Sequence, residues 1–325
     1  MSPLIKKQTI PRSSFGETVV QPIEKEILKP ADLDQGIQFF GGRCEVRVAN
    51  RLELRWKAYE YVNNIYCREG YTTSESGNLW LSIFDALPDT TTLVAEDKNG
   101  DISGALTIVF DSSIGLPSDE LYKNQIDRLR RRGRKISEII SFGINSKKKD
   151  SIKILAGLFY CAYLLSWRAQ KQNDFVIAVN PRHEKLYCGK LLFTRIGPLK
   201  QYSRVNGAPA VLLNLPLSLP RKLKEKQRLF PLSLFRYSDQ KEEGIARKLK
   251  QMVLPMSDVE FYTFFIEKTD VWENATPGQK KYLKEISDVH EVDHFSISRA
   301  LARAVSKKYQ NQNDSKNNKL KISQL

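Results

Sequence analysis

The chain has 325 residues, 41% of them hydrophobic, with 52 basic and 37 acidic side chains and a formal charge of +15. That is enough apolar material for one substantial core, because single cores stop growing at about 250–300 residues, and it predicts one main domain with an appendage. The apolar stretches, of which Ile154 to Leu165 is among the longest, fall short of the ~20 positions a bilayer span needs, and no apolar run with a cleavage site follows the first lysines, so neither a transmembrane helix nor a secretory signal is expected and the expected location is the cytoplasm.

Residues 1–42 hold Pro3, Pro11, Pro22 and Pro30 among mixed charges without a sustained period, the pattern of a loosely ordered leader. Asn50 followed by Glu53 matches a helix start, and Leu52, Trp56, Tyr59 and Tyr66 then recur near helical spacing until Gly70. Thr91 to Glu96 reads as a strand, Asn99-Gly100 as a tight turn and Ile102 to Phe110 as the antiparallel partner. Ser118 stands as the cap of a second helix carrying Leu121, Tyr122, Ile126 and Leu129, with Gly133 beyond its basic last turn.

A strand over Ile136 to Ile144 leads through Lys147, Lys148 and Lys149 into a long apolar helix over about Ile152 to Gln170. A strand at Phe175 to Val179, a helix near Glu184 to Leu192 and a late strand at Ala210 to Leu215 follow. From Pro220 the composition turns basic and helix-prone, with Phe261, Tyr262, Phe264 and Phe265 clustered, and it closes in a polar basic tail over 306–325. The order predicts an α/β fold, a mixed central sheet flanked by helices, with a helical C-terminal extension over 220–305. Cys44, Cys67, Cys161 and Cys188 lie at wide, irregular intervals that suit reduced thiols and no metal site.

Several phrases carry a resemblance: GALT at Gly104 to Thr107, DSSIGLPSDELY at Asp111 to Tyr122, IDRLRRRGRKISEI at Ile126 to Ile139, NPRH at Asn180 to His183, Tyr187 with Leu192-Phe193, and VNGAPAVLL at Val205 to Leu213. Together they resemble the N-acyl amino acid synthase family, a branch of the GNAT superfamily related to acyl-homoserine lactone synthases, over about Val46 to Leu217. A softer match is FFIEKTDVW at Phe264 to Trp272. The resemblance implies a GNAT-like domain over 43–219 with a splayed sheet. It also implies transfer of a long-chain fatty acyl group from an acyl carrier protein thioester to the amine of an amino acid, with no tightly bound cofactor. Leu192 stands where the superfamily commonly has glycine, and Asn145 to Ile152 replaces its glycine-rich phosphate loop; both argue against acetyl-CoA, with an acyl-CoA donor as the alternative.

Amide formation from a thioester needs a group to take the amine proton and donors for the developing oxyanion. Glu138, among β-branched and aromatic neighbours in ISEIISF, is the leading base candidate, since desolvation there raises a carboxylate pKa; an ion pair within the sheet is the competing role. His183 and Tyr187 are the further catalytic candidates, Tyr187 because it matches the tyrosine that many GNAT enzymes place near the leaving thiolate. Asp85, which matches an acidic position of the related families, and Arg182 are candidates for holding the acceptor. The acyl-phosphopantetheine arm, as co-substrate, is expected along Ser141, Phe142, Gly143 and Ile144, with its phosphate near Lys147, Lys148 and Lys149 at the long helix's N-terminus. Arg128, Arg130, Arg131, Arg132 and Arg134 are candidates for docking the acidic carrier protein. The charge also suits an anionic membrane surface, and a nucleic-acid-binding protein is the remaining alternative, but no recognition helix, stacking strands or zinc module supports it and no nucleic acid is expected.

Overall fold

The computed structural model describes residues 35–39, 44–73, 78–97, 99–145, 150–220 and 238–286. Two strands that the periodicity did not reveal begin the sheet: β1, Ile37–Phe39, inside the segment read as leader, and β2, Cys44–Val48. In β2, Cys44, Val46 and Val48 face the core while Glu45 and Arg47 pair with each other on the outside, the alternation of a strand with one solvated face. Helix α1, Leu52–Arg68, starts after Arg51; Asn50 is not its cap, and its side-chain amide instead donates to the Met252 carbonyl at 3.0 Å.

Strands β3, Thr91–Glu96, and β4, Ile102–Phe110, pair as expected, but the connection is wider than a two-residue turn. Asp97 Oδ1 accepts from the amides of Asn99 and Asp101, and Gly100 takes the left-handed φ of +78° that the loop requires. Helix α2, Asp119–Arg131, leads to β5, Ile136–Ile144, and then to α3, Ser151–Tyr163, which continues as a π-helical turn over Leu164–Ala169. Strand β6, Asp174–Val179, helix α4, Glu184–Lys190, and strands β7, Thr194–Arg195, β8, Lys200–Tyr202, and β9, Ala208–Pro216, complete the matched region.

Among the described residues the strands form a nine-stranded sheet in the order β1-β2-β3-β4-β5-β6-β9-β7, with β8 hydrogen-bonded to β9, and only β5 and β6 pair in parallel. Leu93, Leu106, Ile108 and Ile139 meet α3 on one face, while Val109, Ile136 and Val176 meet α2 on the other. Ser151–Ala169 is long and apolar enough, by length and composition, to cross a membrane, yet 72% of its most apolar window is buried inside the fold, as a core helix requires. Leu155, Leu158, Phe159 and Ala162 are its core stripe.

The extension straddles both faces of the sheet. Helix α5, Asp239–Met252, sets Ala246, Leu249 and Met252 into the α3 core, and Arg168 holds its first turn through Asp239 and Glu242 at 2.9 and 2.8 Å. Helix α6, Asp258–Phe261, then continues as a π-helical turn, Tyr262–Glu267, that brings Phe264 against Tyr59 and Trp56 on the opposite face, before α7, Val271–Asn274, and α8, Pro277–Ile286. The crossing is pinned by Arg55 of α1, which pairs with Glu260 and donates to the Leu254 carbonyl at 2.6 Å. None of the described extension residues lines the cleft described below.

Arg55 and Glu260 expose only 6% and 8% of their side chains, and removing one member of such a pair strands the other charge in a poor solvent. Arg55→Met is expected to lower the unfolding free energy in urea by about 3–5 kcal/mol, and Arg55→Met with Glu260→Met by less than Arg55→Met alone. An unchanged urea midpoint in Arg55→Met would show that the pair does not fasten the extension.

Candidate active site

The cleft follows from strand pairing. β5 pairs with β6 only from Ile136 to Glu138, opposite Asp174 to Val176. Beyond that point β6 follows β9 as far as Val179, β5 follows β4, and the two strands part. On β5 the ladder with β4 also slips, so that Ser141 and Phe142 together oppose Leu106, and Ser141 takes a φ of +49°. A left-handed serine costs about 1–2 kcal/mol, which the surrounding ladder must hold in place. Gly143 follows because a Cβ there would lie 2.8 Å from Ile65 Cδ1 of α1. The result is a cleft of about 310 Å³ with β5 along one wall and Ile177 to Asn180 along the other. Ser141, Phe142, Gly143 and Ile144 all line it, with the Phe142 amide hydrogen-bonded to the Tyr66 hydroxyl.

Glu138 sits where the strands separate, lining the cleft yet only 2% exposed. Ser118 holds it through the backbone N–H at 2.9 Å to Oε2 and through the hydroxyl to Oε1. The serine read as a helix cap makes no side-chain bond to its own helix, because its hydroxyl is committed to this carboxylate. Burial pushes the Glu138 pKa up to about 7 against the opposing pull of the Ser118 hydrogen bonds and the Arg204 guanidinium.

Ser118 is itself held by the loop that leads into α2. Arg130 grips Asp111 through two hydrogen bonds at 2.7 and 2.8 Å, Asp119 through two at 2.8 and 2.6 Å, and Asp127 at 2.8 Å. Asp119 Oδ2 also accepts from the Leu116 amide. These ties correct part of the docking expectation: Arg130 is the clamp of the Ser118 loop, and Arg134 pairs with buried Asp174, which leaves Arg128, Arg131 and Arg132 exposed on α2 and its end.

Arg204 is the residue that sequence reasoning missed. It lies in a short turn between β8 and β9, immediately before the phrase VNGAPAVLL, and lines the cleft with its guanidinium carbon 6.0 Å from the centre of the Trp80 ring. Tyr202 beside it has its phenol pushed up to about 12 by burial, against the pull of that guanidinium. A lone arginine in a turn carries no spacing signal; only the β8–β9 pairing brings it over the cleft.

Asp85, expected to hold the acceptor, does not line the cleft. It is 3% exposed and accepts from the Ser82 amide and hydroxyl, both at 2.8 Å, in a capping box. Burial raises its pKa, and Arg204 is close enough to offset part of that rise. Arg182 lines the cleft rim but is already engaged there, by Glu69 and by the Tyr71 hydroxyl at 2.9 Å. His183 is not placed as a free base: its Nε2 accepts from Arg182 Nε at 3.0 Å, and burial together with Arg182 lowers its pKa. Tyr187 lines the cleft, packed on Phe159 and Phe193, with burial and the Tyr66 and Tyr71 hydroxyls raising its pKa far above the ordinary phenol value. The Cys188 thiol is pushed up by burial and by Glu184, the opposite of an activated nucleophile.

Lys147, Lys148 and Lys149 lie outside the described residues. The position that caps α3 is occupied by Asp150, paired with Lys153 at 2.5 Å, so an acidic side chain stands at the helix end read as a phosphate site. Leu192 has a φ of +64°, which accounts for the glycine common at that position in the superfamily. Among the described residues, no group of three His, Cys, Asp or Glu side chains is placed to hold a metal ion.

Residues 57–216 match the family model of the N-acyl amino acid synthase FeeM. The solved structure of FeeM, an N-acyl amino acid synthase from uncultured soil microbes, is 26% identical over 59% of this chain and 97% of its own, with a TM-score of 0.50. The AHL synthase LasI is 17% identical over 54% of this chain and 90% of its own, with a TM-score of 0.41. A GNAT-family acetyltransferase from Streptococcus pneumoniae is 15% identical over 53% and 99%, with a TM-score of 0.38. No curated protein matches the chain. The sheet is mixed, splayed and flanked by helices, with further helices beyond the matched region. The chain is an amide-forming acyltransferase that resembles the N-acyl amino acid synthases over residues 57–216.

Proposed function

We propose that the protein transfers a long-chain acyl group from acyl carrier protein to the amine of an amino acid, with Glu138 as the general base. The observation that carries this reading is a buried carboxylate, with a pKa of about 7, at the floor of a largely apolar cleft between two parting strands. The acyl-phosphopantetheine arm lies along β5 beyond Glu138, where the strand has β4 on one side and cleft on the other, so its backbone groups are open to an extended ligand. Ile139, Ile144, Ile177 and Val179 supply apolar wall for the alkyl chain.

In the reaction the amine nitrogen attacks the thioester carbonyl carbon, its proton passes to Glu138, and the carbon–sulfur bond breaks as the tetrahedral oxyanion collapses. The leaving thiolate is stabilised by a hydrogen bond from Tyr187, whose raised pKa keeps the phenol protonated at neutral pH, and it takes up a proton from solvent as Glu138 releases the amine proton. Exposed Arg128, Arg131 and Arg132 remain for the acidic face of the carrier protein. The absence of any disulfide among the four cysteines suits a reducing cytoplasm, where we place the enzyme.

Purified protein given amino acids and either a long-chain acyl carrier protein or the matching acyl-CoA is expected to yield N-acyl amino acids by mass spectrometry, with the carrier-bound donor the better one. Glu138→Gln is expected to slow transfer by about 10²–10⁴-fold. Amide formation from neither donor would contradict the synthase reading, and undiminished transfer by Glu138→Gln would contradict the base.

The carboxylate must be ionised to take the amine proton, so transfer is expected to rise with pH through about 7. The Ser118 hydroxyl favours the ionised form, so its loss raises the carboxyl pKa. Ser118→Ala is expected to move the acid limb of kcat/KM upward by about one pH unit, with activity regained at higher pH. A uniform fall at every pH would show that Ser118 acts on the fold instead.

A further inference from the structure

We infer that Arg204 is the anchor for the carboxylate of the acceptor, so that the cleft selects amines that bear a carboxylate on the neighbouring carbon. The inference rests on the synthase reading of the cleft and goes beyond it by assigning the acceptor's binding group. Among the described residues, two arginine side chains line the cleft, and one of them is already committed. Arg182 is tied to Glu69 and Tyr71. Arg204 has no carboxylate within ion-pairing distance among the described residues, although it lines the cleft and its charge is felt by both Glu138 and Asp85.

Its surroundings suit a cation kept ready for an incoming anion. The Trp80 ring lies against the guanidinium and the Tyr202 hydroxyl is its hydrogen-bond partner, so the group is held by neutral side chains and no carboxylate has to be displaced by an incoming anion. Asp85, close enough to feel the Arg204 charge, is buried with Oδ1 making no hydrogen bond. An acidic group within electrostatic reach of the guanidinium gives a physical role to an aspartate that does not line the cleft.

The geometry of an amino acid then follows. In an α-amino acid only one carbon separates the carboxyl carbon from the amine nitrogen, so a carboxylate held by Arg204 carries the amine to the same end of the cleft as Glu138. Neutralising Arg204 with a carboxylate also removes the positive charge that eases Glu138 ionisation, which makes the bound-state carboxylate a stronger base at the moment the amine needs one. An amine with no carboxylate gains neither the anchor nor that change.

Two readouts separate this inference from the synthase reading. Calorimetric titration of amino acids and of their carboxamides, with no acyl donor present, reports the anchor alone, and acyl transfer to the same pairs reports it in the reaction. Wild type is expected to favour the carboxylate by roughly 10–100-fold, as charge-assisted bidentate contacts do. Arg204→Met is expected to bring that ratio to about one, Arg204→Lys to restore part of it, and Arg182→Met to keep it. Carboxylate preference in binding, lost in Arg204→Met, would uphold the anchor even where no amide is formed and the synthase reading fails. Equal binding of acid and carboxamide by wild type, or a ratio that survives in Arg204→Met and is lost in Arg182→Met, would overturn it.

Discussion

Burying a carboxylate where two parallel strands separate puts a group that prefers water into a place that excludes it, and the surrounding structure is arranged to hold it there. Glu138 is 2% exposed, and the shift of its pKa from 4.5 to about 7 corresponds to a penalty on the ionised form of about 3 kcal/mol. Two Ser118 donors limit that penalty and fix the orientation of the carboxylate. Ser118 in turn depends on Arg130, whose guanidinium gathers Asp111 and Asp119 from the two ends of the loop. The chain of contacts therefore runs from an arginine on α2, through a loop serine, to a buried carboxylate on the floor of the cleft.

The remainder of the fold supplies walls and fastening. The β5 bulge at Ser141 turns the strand away from β6 and opens the cleft, while Gly143 lets α1 close against the same strand. The extension contributes no described residue to the cleft; it clamps the sheet from both faces through Arg55–Glu260 on α1 and Arg168–Glu242 on the α3 side. Stability and chemistry are thereby kept on different side chains, and the cleft residues are free to be held in strained or poorly solvated states.

Much of this arrangement was legible in the sequence because it repeats at short range. The hairpin, β5, α3 and Glu138 each announced themselves by a period or by a carboxylate among apolar neighbours. What stayed hidden depends on partners far along the chain. Ser118 has every local property of a helix cap, and only the register of β5 reveals that its hydroxyl serves Glu138 twenty residues away. Arg130 looked like one of a row of surface arginines until three aspartates closed around it. Arg204 and Trp80 are separated by more than a hundred residues and meet only through the pairing of β8 and β9 over the cleft. β1 is three residues long, too short for an alternation to stand out among prolines and charges.

The central claim is that Glu138 holds a carboxyl group poised near neutrality, and titration of that group observes it directly. Protein carrying carboxyl-¹³C glutamate, followed by NMR from pH 4 to 9, would give the Glu138 resonance as the one missing from Glu138→Gln. The account predicts an inflection close to pH 7; an inflection at the ordinary glutamate value near 4.5 would mean that the cleft does not desolvate this group and would contradict the account.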